Sequence, residues 1–389
     1  MPACKIGARV VSSVSSRRWD DRIRELPSAN RVYASASPEL ASAELAVFSE
    51  SVLGGALSEA SLTRRGGVPY LEFTAEQLHP EAIAFLSQLS AIYALFEVDG
   101  SRLTPVELRP LGRYDDDLIT IQKYPGKTNE QFTKLLLNVT LMSSAFATEL
   151  GSHQLAVFDP LCGRGTTLNQ ALMYGCDAAG LDADQRDFDA YSAFIKTWLK
   201  RKHLKHHADY DGPVRRDGKV IGRRLQLSLA PTKEEHKAGL IQRLDVVCAE
   251  TTRAADFFRP DAFDLIVTDA PYGVQHGSRT TAGLARRPQD LLSAAAPVWA
   301  RLLRPGGALG ISWNTLVAPR EQAAAILAGA GLEPLDYGPY RQFRHGESWR
   351  STQAATAAAE SAGAPSVVST RSGTFPRSQR PQLTCSSTS

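Results

Sequence analysis

Two short stretches carry residue types and spacings that can do chemistry. The first is VFDPLCGRGTTLNQAL, Val157 to Leu172. It reads as a buried strand, an acid, a tight glycine turn and a helix start. Gly163 and Gly165 let the backbone approach a ligand closely. Thr166 and Thr167 open a helix whose free amides and dipole favour an anionic group. Asp159 sets a carboxylate beside the turn, which suits a ligand bearing an amine as well as a carboxylate. A dinucleotide fingerprint needs a third glycine where Leu168 stands, so NAD is disfavoured. The second stretch is TDAPYG, Thr268 to Gly273. Pro271 biases Ala270 towards extended backbone, which aims the Ala270 carbonyl and the Asp269 carboxylate in related directions. Two such acceptors can bind both hydrogens of an exocyclic amine on a base and leave the nitrogen lone pair free to attack. Tyr272 offers a π-face to the base and to a nearby cation.

These stretches need a frame. From Gln154 onward strand and helix patterns alternate: LAVFD, then TTLNQALMYG; DAAGLDAD, then RDFDAYSAFIKTWLKRK; then the strands RLDVVCAE, FDLIVTD and GALGISW. Helices over about 286–303 and 319–330 separate the later strands. The apolar runs are continuous, as strands covered on both faces require. The expected fold is α/β, a doubly wound parallel sheet, whose ligands sit beyond the carboxyl ends of the strands. Asp182 ends the second strand, where an acid can accept ribose hydroxyls, with Asp184 as the rival position. Glu250 ends the third and can meet a base edge or exocyclic amine. The alternative for each is a solvated strand-end carboxylate.

The rest of the chain is organised around this unit. Residues 1–30 read as a mobile arm. Residues 31–112 read as a small α+β domain: RVYASA as a strand, a helix capped at Ser37-Pro38, PYLEFTA as a strand, HPEAIAFLSQLSAIYALFEV as a helix running into a strand, and LTPVEL as another strand. The larger domain spans 113–349, and Lys127-Thr128-Asn129-Glu130 caps its first helix. Within it, 200–243 is a polar, basic insert: Lys196 to Arg243 holds thirteen Lys and Arg against five Asp and Glu, about +8 in a chain whose net charge is +3. The insert can bind phosphates; the alternative is a solvated loop. Its His203, His206, His207 and His236 lack a repeating ligand spacing, so no metal is expected. Residues 350–389, rich in Ser, Thr, Ala and Pro, read as a disordered tail. EPLDYGPY reads as a sixth strand, but no apolar strand follows FRHGESW, and PSVVS at 365–369 is a poor substitute. The final strand is therefore expected to be missing or irregular, with a weakened sheet edge.

The chain has 389 residues, 43% hydrophobic and 22% charged, as ordinary globular proteins are. No apolar run reaches membrane-spanning length. Five cysteines, Cys4, Cys162, Cys176, Cys248 and Cys385, form no CxxC pair and no disulfide framework. A cytoplasmic setting is expected.

FDPLCGRGTT and TDAPYG, in this order and with KYPGKTNEQFTKLLLN before the first strand, resemble the class I S-adenosylmethionine-dependent amino-methyltransferases, and within them the tRNA guanine-N2 methyltransferase group. The similarity covers about residues 120–345. No THUMP-type RNA-binding domain is legible in the N-terminal unit. The resemblance implies a Rossmann-like methyltransferase sheet and S-adenosylmethionine as cofactor. Asp159, Gly163 and Gly165 would contact its methionine part, Asp182 its ribose, Glu250 its adenine amine and Thr128 its carboxylate. Asp269, Ala270, Pro271 and Tyr272 would bind the target amine. The reaction implied is direct displacement on the cofactor's methyl group, with the proton leaving afterwards and with positioning supplying most of the rate. The family usually has a second proline where Ala270 stands; the contact there is a carbonyl, which alanine keeps. The expected substrate is nucleic acid, tRNA first, reached through the basic insert, with the target base single-stranded or flipped. The alternatives are a DNA adenine-N6 methyltransferase and, from another class, a non-catalytic nucleic-acid-binding module.

Overall fold

A computed structural model describes residues 4–10, 31–75, 77–151, 154–270, 288–315, 318–345 and 350–357. In chain order the elements are β1 (Cys4–Val10), α1 (Arg31–Val52), β2 (Ser61–Arg65), β3 (Val68–Ala75), α2 (Pro80–Leu86), β4 (Ile92–Asp99), β5 (Arg102–Val106), α3 (Asp117–Thr120), α4 (Glu130–Met142), β6 (Ala156–Asp159), α5 (Thr166–Met173), β7 (Asp177–Asp182), α6 (Gln185–Arg201), β8 (Lys205–Arg216), β9 (Lys219–Ala230), α7 (Lys233–Lys237), β10 (Gln242–Cys248), β11 (Phe263–Asp269), α8 (Pro288–Leu302), β12 (Leu303–Asn314), α9 (Arg320–Gly329), β13 (Leu332–Pro334), β14 (Arg344–His345) and β15 (Arg350–Ala357).

Two sheets result. The first has five antiparallel strands in the order β2-β3-β1-β4-β5. The second runs β13-β15-β12-β11-β6-β7-β10-β9-β8. Its centre, β12-β11-β6-β7-β10, is parallel. Successive residues of the central strands enter different cores: Val157, Leu265 and Val267 face α4, α5 and α6, while Phe158 and Ile266 face α8 and α9. Both faces are covered, which is why these strands read as continuous apolar runs. This is a doubly wound, Rossmann-like sheet.

Two helices beside the site start where a side chain satisfies a first amide. Asn129 caps α4 by accepting from the Phe132 amide (3.0 Å), and Asp184 caps α6 by accepting from Arg186 N (2.7 Å). The core is continuous from α1 into α4 and α5. At that junction Glu44, fully buried, accepts from Ser90 N (3.0 Å), Ser90 Oγ (2.6 Å) and Asn138 Nδ2 (2.6 Å). Burial holds its carboxyl above the ordinary range.

Four local readings are corrected. Cys4–Val10, placed in the mobile arm, is the central strand of the first sheet, ordered by pairing with β3 and β4 rather than by any pattern of its own. RVYASA, read as a strand, is the first turns of α1, and Pro38 lies inside that helix instead of opening it. The basic insert is mostly a long hairpin, β8–β9, which extends the sheet beyond β10. Finally, the missing last strand is present: β15, within the stretch read as disordered tail, runs antiparallel between β12 and β13. Arg350–Ala357 has no large apolar residue, so a search for hydrophobicity passes over it; two flanking ladders, not its composition, make it a strand. The sixth strand is correspondingly short, Leu332–Pro334. PSVVS lies outside the described residues. Among the described residues no helix is long and apolar enough to cross a membrane.

Thr356 pairs with Ala308 on one side and Glu333 on the other. Thr356→Pro removes a ladder donor from a strand paired on both flanks and forces the ring against the neighbouring strand, at a cost of about 2–3 kcal/mol. Thermal unfolding of the variant is expected several degrees below the parent; an unchanged melting temperature would refute the placement of β15 inside the sheet.

Candidate active site

The turn after β6 is built by backbone bonds and glycines. Cys162 N donates to Leu181 O (3.0 Å) and Gly165 N to Cys162 O (2.8 Å), which folds the turn onto the end of β7. Gly163 and Gly165 have φ of +49° and +78°, the left-handed region open to glycine. A Cβ on Gly165 would strike the Tyr191 ring, whereas one on Gly163 would meet open space, the side from which a ligand can approach. Gly180 of β7 completes the close packing: a Cβ there would stand 2.7 Å from Leu168 Cδ1 and 2.8 Å from Cys162 Sγ. Gly180 and Tyr191 were not singled out in the sequence, although a glycine inside the strand DAAGLD is a signal of close backbone approach.

Four acids end neighbouring strands at one edge of the sheet: Glu250 just after β10, Asp182 on β7, Asp159 on β6 and Asp269 on β11. At ordinary strand spacing the row is about 15 Å long. Asp159 is 3% exposed and accepts from Leu161 N (3.1 Å). Among the described residues no cation pairs with it. Burial pushes its carboxyl up to about 7, against partial relief from the Leu161 amide and the Thr167 and Thr268 hydroxyls, and the Asp182 charge adds to the rise. Asp182 is raised in the same direction by burial, although its two oxygens accept from Gly163 N (2.9 Å) and Asp184 N (2.8 Å). It therefore fixes the turn as well as facing the site. Asp184, the rival position, is the cap of α6. Glu250 is half-buried and precedes the turn Thr251–Asp256.

The segment before α4 reaches the turn after β6 and the end of β11. Tyr124 Oη lies 3.3 Å from Thr166 Oγ1, and the Arg164 guanidinium stacks on the Tyr124 ring at 4.7 Å while its Nε donates to Asp187 (2.8 Å). Lys127 is tied to Ile119 O (2.7 Å) and Glu130 (2.5 Å). Thr128, which the resemblance assigns to the cofactor's carboxylate, donates instead to Asp269 Oδ2 (2.8 Å). Ala270 N donates to Ser312 O (2.8 Å), which holds the residue after Asp269 against β12. Pro271 and Tyr272 lie outside the described residues.

The donor set fits a zwitterionic nucleoside. A buried carboxylate with no counter-ion among the described residues suits an ammonium group. The open side of Gly163 gives backbone access, and the α5 start favours a carboxylate. Two further acids follow along the row. S-adenosylmethionine has these groups in one molecule.

No family model matches this chain. In sequence it is similar to the ribosomal RNA large subunit methyltransferase K/L of Marinomonas sp. (strain MWYL1), 30% identical over 147 residues. That match takes in 35% of this chain and spans 19% of the length of the relative. Among solved structures, TrmN from Thermus thermophilus matches at 14% identity over 77% of this chain and 59% of its own, with a TM-score of 0.35. The precorrin-6y C5,15-methyltransferase of Geobacter metallireducens GS-15 matches at 12% identity over 64% of this chain and 99% of its own, also at 0.35. The sequence relative is an RNA methyltransferase by name, in agreement with the resemblance carried by FDPLCGRGTT and TDAPYG.

The Asp159 carboxyl sets a pH dependence in the ligand-free protein. Below about pH 4 folded and unfolded chains both hold the proton. Between about 4 and 7 the unfolded chain releases it and the folded chain retains it, so stability falls as pH rises; above about 7 the loss is complete. Asp159→Asn lacks this loss. The variant is expected to be more stable than the parent by roughly 2–4 kcal/mol at pH 8, with the gap closing towards pH 4. Denaturant melts across that range check it; a gap that does not change with pH would contradict the assignment.

Proposed function

We propose that this protein transfers a methyl group from S-adenosylmethionine to an exocyclic amine of an RNA base, with guanine-N2 in tRNA as the target. The observation that carries this reading is the pair of acceptors after β11, aligned beside the Asp159 turn. Asp269 Oδ2 is held by Thr128, and Ala270, whose carbonyl is the second acceptor in this reading, is pinned through its amide to Ser312. When bound, S-adenosylmethionine supplies an electrophilic methyl on a sulfonium centre. Asp159 takes the cofactor's ammonium, the Gly163–Thr167 backbone its carboxylate, Asp182 the ribose hydroxyls and Glu250 the adenine amine.

Asp269 and the Ala270 carbonyl accept the two amine hydrogens. They orient the nitrogen lone pair towards the glycine turn one strand away and take up the positive charge that develops there. Pro271 and Tyr272 complete the loop. The proton leaves after transfer, to solvent or through Asp269. No base in a duplex reaches such a site, so the target is unpaired or flipped. The enzyme works in the cytoplasm, where unmodified transcripts are found.

The test is transfer of labelled methyl groups to unmodified tRNA, ribosomal RNA and unmethylated DNA in parallel, with Asp269→Ala beside the parent. Label in tRNA as N2-methylguanine, lost in Asp269→Ala, is the expected result. Label in ribosomal RNA alone would move the substrate; label in DNA alone would replace the reading with an adenine enzyme. Folded protein that binds the cofactor and labels nothing would favour the binding module.

Thr128 separates two roles. As an orienter of Asp269, Thr128→Val should lower kcat roughly tenfold with cofactor affinity within about twofold, the loss of one positioning hydrogen bond. Were Thr128 a cofactor ligand, calorimetry would show weakened S-adenosylmethionine binding instead.

A further inference from the structure

The positive charge of residues 196–243 is sorted by the fold into tied and untied groups. Lys196 pairs with Asp211 (2.8 Å), Lys202 with Asp115 and Asp117 (2.7 Å each), Arg223 with Asp189 (2.6 Å) and Arg224 with Asp245 (2.5 Å). The Arg224 pair ties the hairpin to β10, the Lys196 and Arg223 pairs tie it to α6, and the Lys202 pairs tie the end of α6 to α3. Arg215 and Lys219 are exposed and make no ion pair among the described residues. Arg215 Nη1 donates to Gly218 O (3.2 Å), which keeps its remaining donors outward.

The ladder register shows where these two stand. Cys248, the last residue of β10, pairs with Arg223, and the hairpin turns at Asp217 and Gly218. The tip therefore runs about 17–20 Å past the end of β10. It passes the same edge at which Glu250, Asp182, Asp159 and Asp269 stand. Lys205, Lys233 and Lys237 lie at the opposite edge, where β9 ends and β10 begins.

The arm is braced. A Cβ on Gly222 would come 2.8 Å from Cys248 O and 3.0 Å from the Phe257 ring, so the hairpin lies directly on the β10 end. Val214 and Ile221 pack on the core beneath, and Arg253 Nη1 donates to Ile221 O (3.5 Å). Arg216 and Arg253 share one carboxylate, Asp256, at 2.7 and 2.8 Å, which leaves one further positive charge uncompensated at the base of the tip. The acid on the tip itself is Asp217. A row of four acids repels a polyanion, and this positive flank at the Glu250 end offsets it.

We propose that the β8–β9 tip, through Arg215 and Lys219 with the shared Arg216–Arg253 charge behind them, grips the phosphate backbone of the RNA whose base enters the site. The proposal rests on the RNA-methylation reading above. Its test is binding of a labelled unmodified tRNA to the full chain by fluorescence anisotropy between 50 and 200 mM salt. R215E/K219E is compared with K205E/K237E, which reverses two charges at the far edge.

The tip variant should bind at least tenfold more weakly at 50 mM salt, with the slope of log affinity on log salt reduced by about 1.4–1.8 for two lost contacts. The far-edge variant should stay within about twofold. The thermal shift with S-adenosylmethionine should match the parent in both. Equal weakening by the two variants, tRNA affinity unchanged in R215E/K219E, or no RNA binding by the parent would each overturn the proposal. Binding that depends on the tip without methyl transfer to any RNA would sink the enzymatic reading and leave the tip standing. Transfer by the parent with an unchanged KM in the tip variant would sink the tip alone.

Discussion

The site depends on a charged pin at the edge of the sheet opposite to it. Asp264, buried at the start of β11, accepts from Ala156 N (2.7 Å) at the start of β6 and pairs with Arg304 (2.8 Å) at the start of β12. Gly307 admits no Cβ against the Asp264 carbonyl, so β12 closes on the same point. Three strands are thereby fixed in relative height at their N-terminal ends. A one-residue slip of a strand would turn its whole side-chain pattern to the other face. With the register held, Asp159 and Asp269 come out side by side at the far end. A half-buried ion pair is a modest source of stability by itself; its consequence is alignment.

At the working edge the chain holds groups that weaken the fold. Asp159 is buried with no cation paired to it among the described residues, and Asp182 is half-buried with two amides donating to it. An apolar pair at these positions would pack more favourably. Strain of this kind is expected where a ligand must complete the electrostatics, as the proposed binding of an ammonium group at Asp159 would do. The Thr128–Asp269 bond extends the same logic. A hydroxyl from the segment before α4 takes one oxygen of the carboxylate and so fixes the direction of the other.

Much of this was legible in the sequence where the cause is local. FDPLCGRGTT declared a strand, a glycine turn and a helix within ten residues, and the four strand-end acids follow from strand boundaries alone. What escaped is held by distant partners. β1 and β15 exist because flanking strands pair with them, and Arg350–Ala357 has no composition that announces a strand. The insert looked like a basic loop because Arg223 and Arg224 of its hairpin meet Asp189 and Asp245, partners outside the hairpin. The resemblance attaches Thr128 to the cofactor's carboxylate, and its bond to Asp269, 141 residues further on, is visible only in the fold. Such pairings have no signature in a single window.

The same reasoning bears on the N-terminal unit. In the sequence, residues 31–112 read as a small α+β domain distinct from 113–349. Yet Glu44 of α1 bonds to Asn138 of α4, Tyr174 Oη after α5 donates to Asn138 Oδ1 (2.8 Å), and Asn138 Nδ2 also reaches Gln88 O (2.8 Å). Each of these polar groups is buried, so separating the units would strand several of them at about 1–3 kcal/mol each. A tethered module would join through a solvated interface; this junction has the character of a core. α4 is thus shared: its buried face carries Asn138, and its N-terminal cap follows directly on Thr128. The five-stranded sheet is therefore part of the frame that places Thr128 over Asp269.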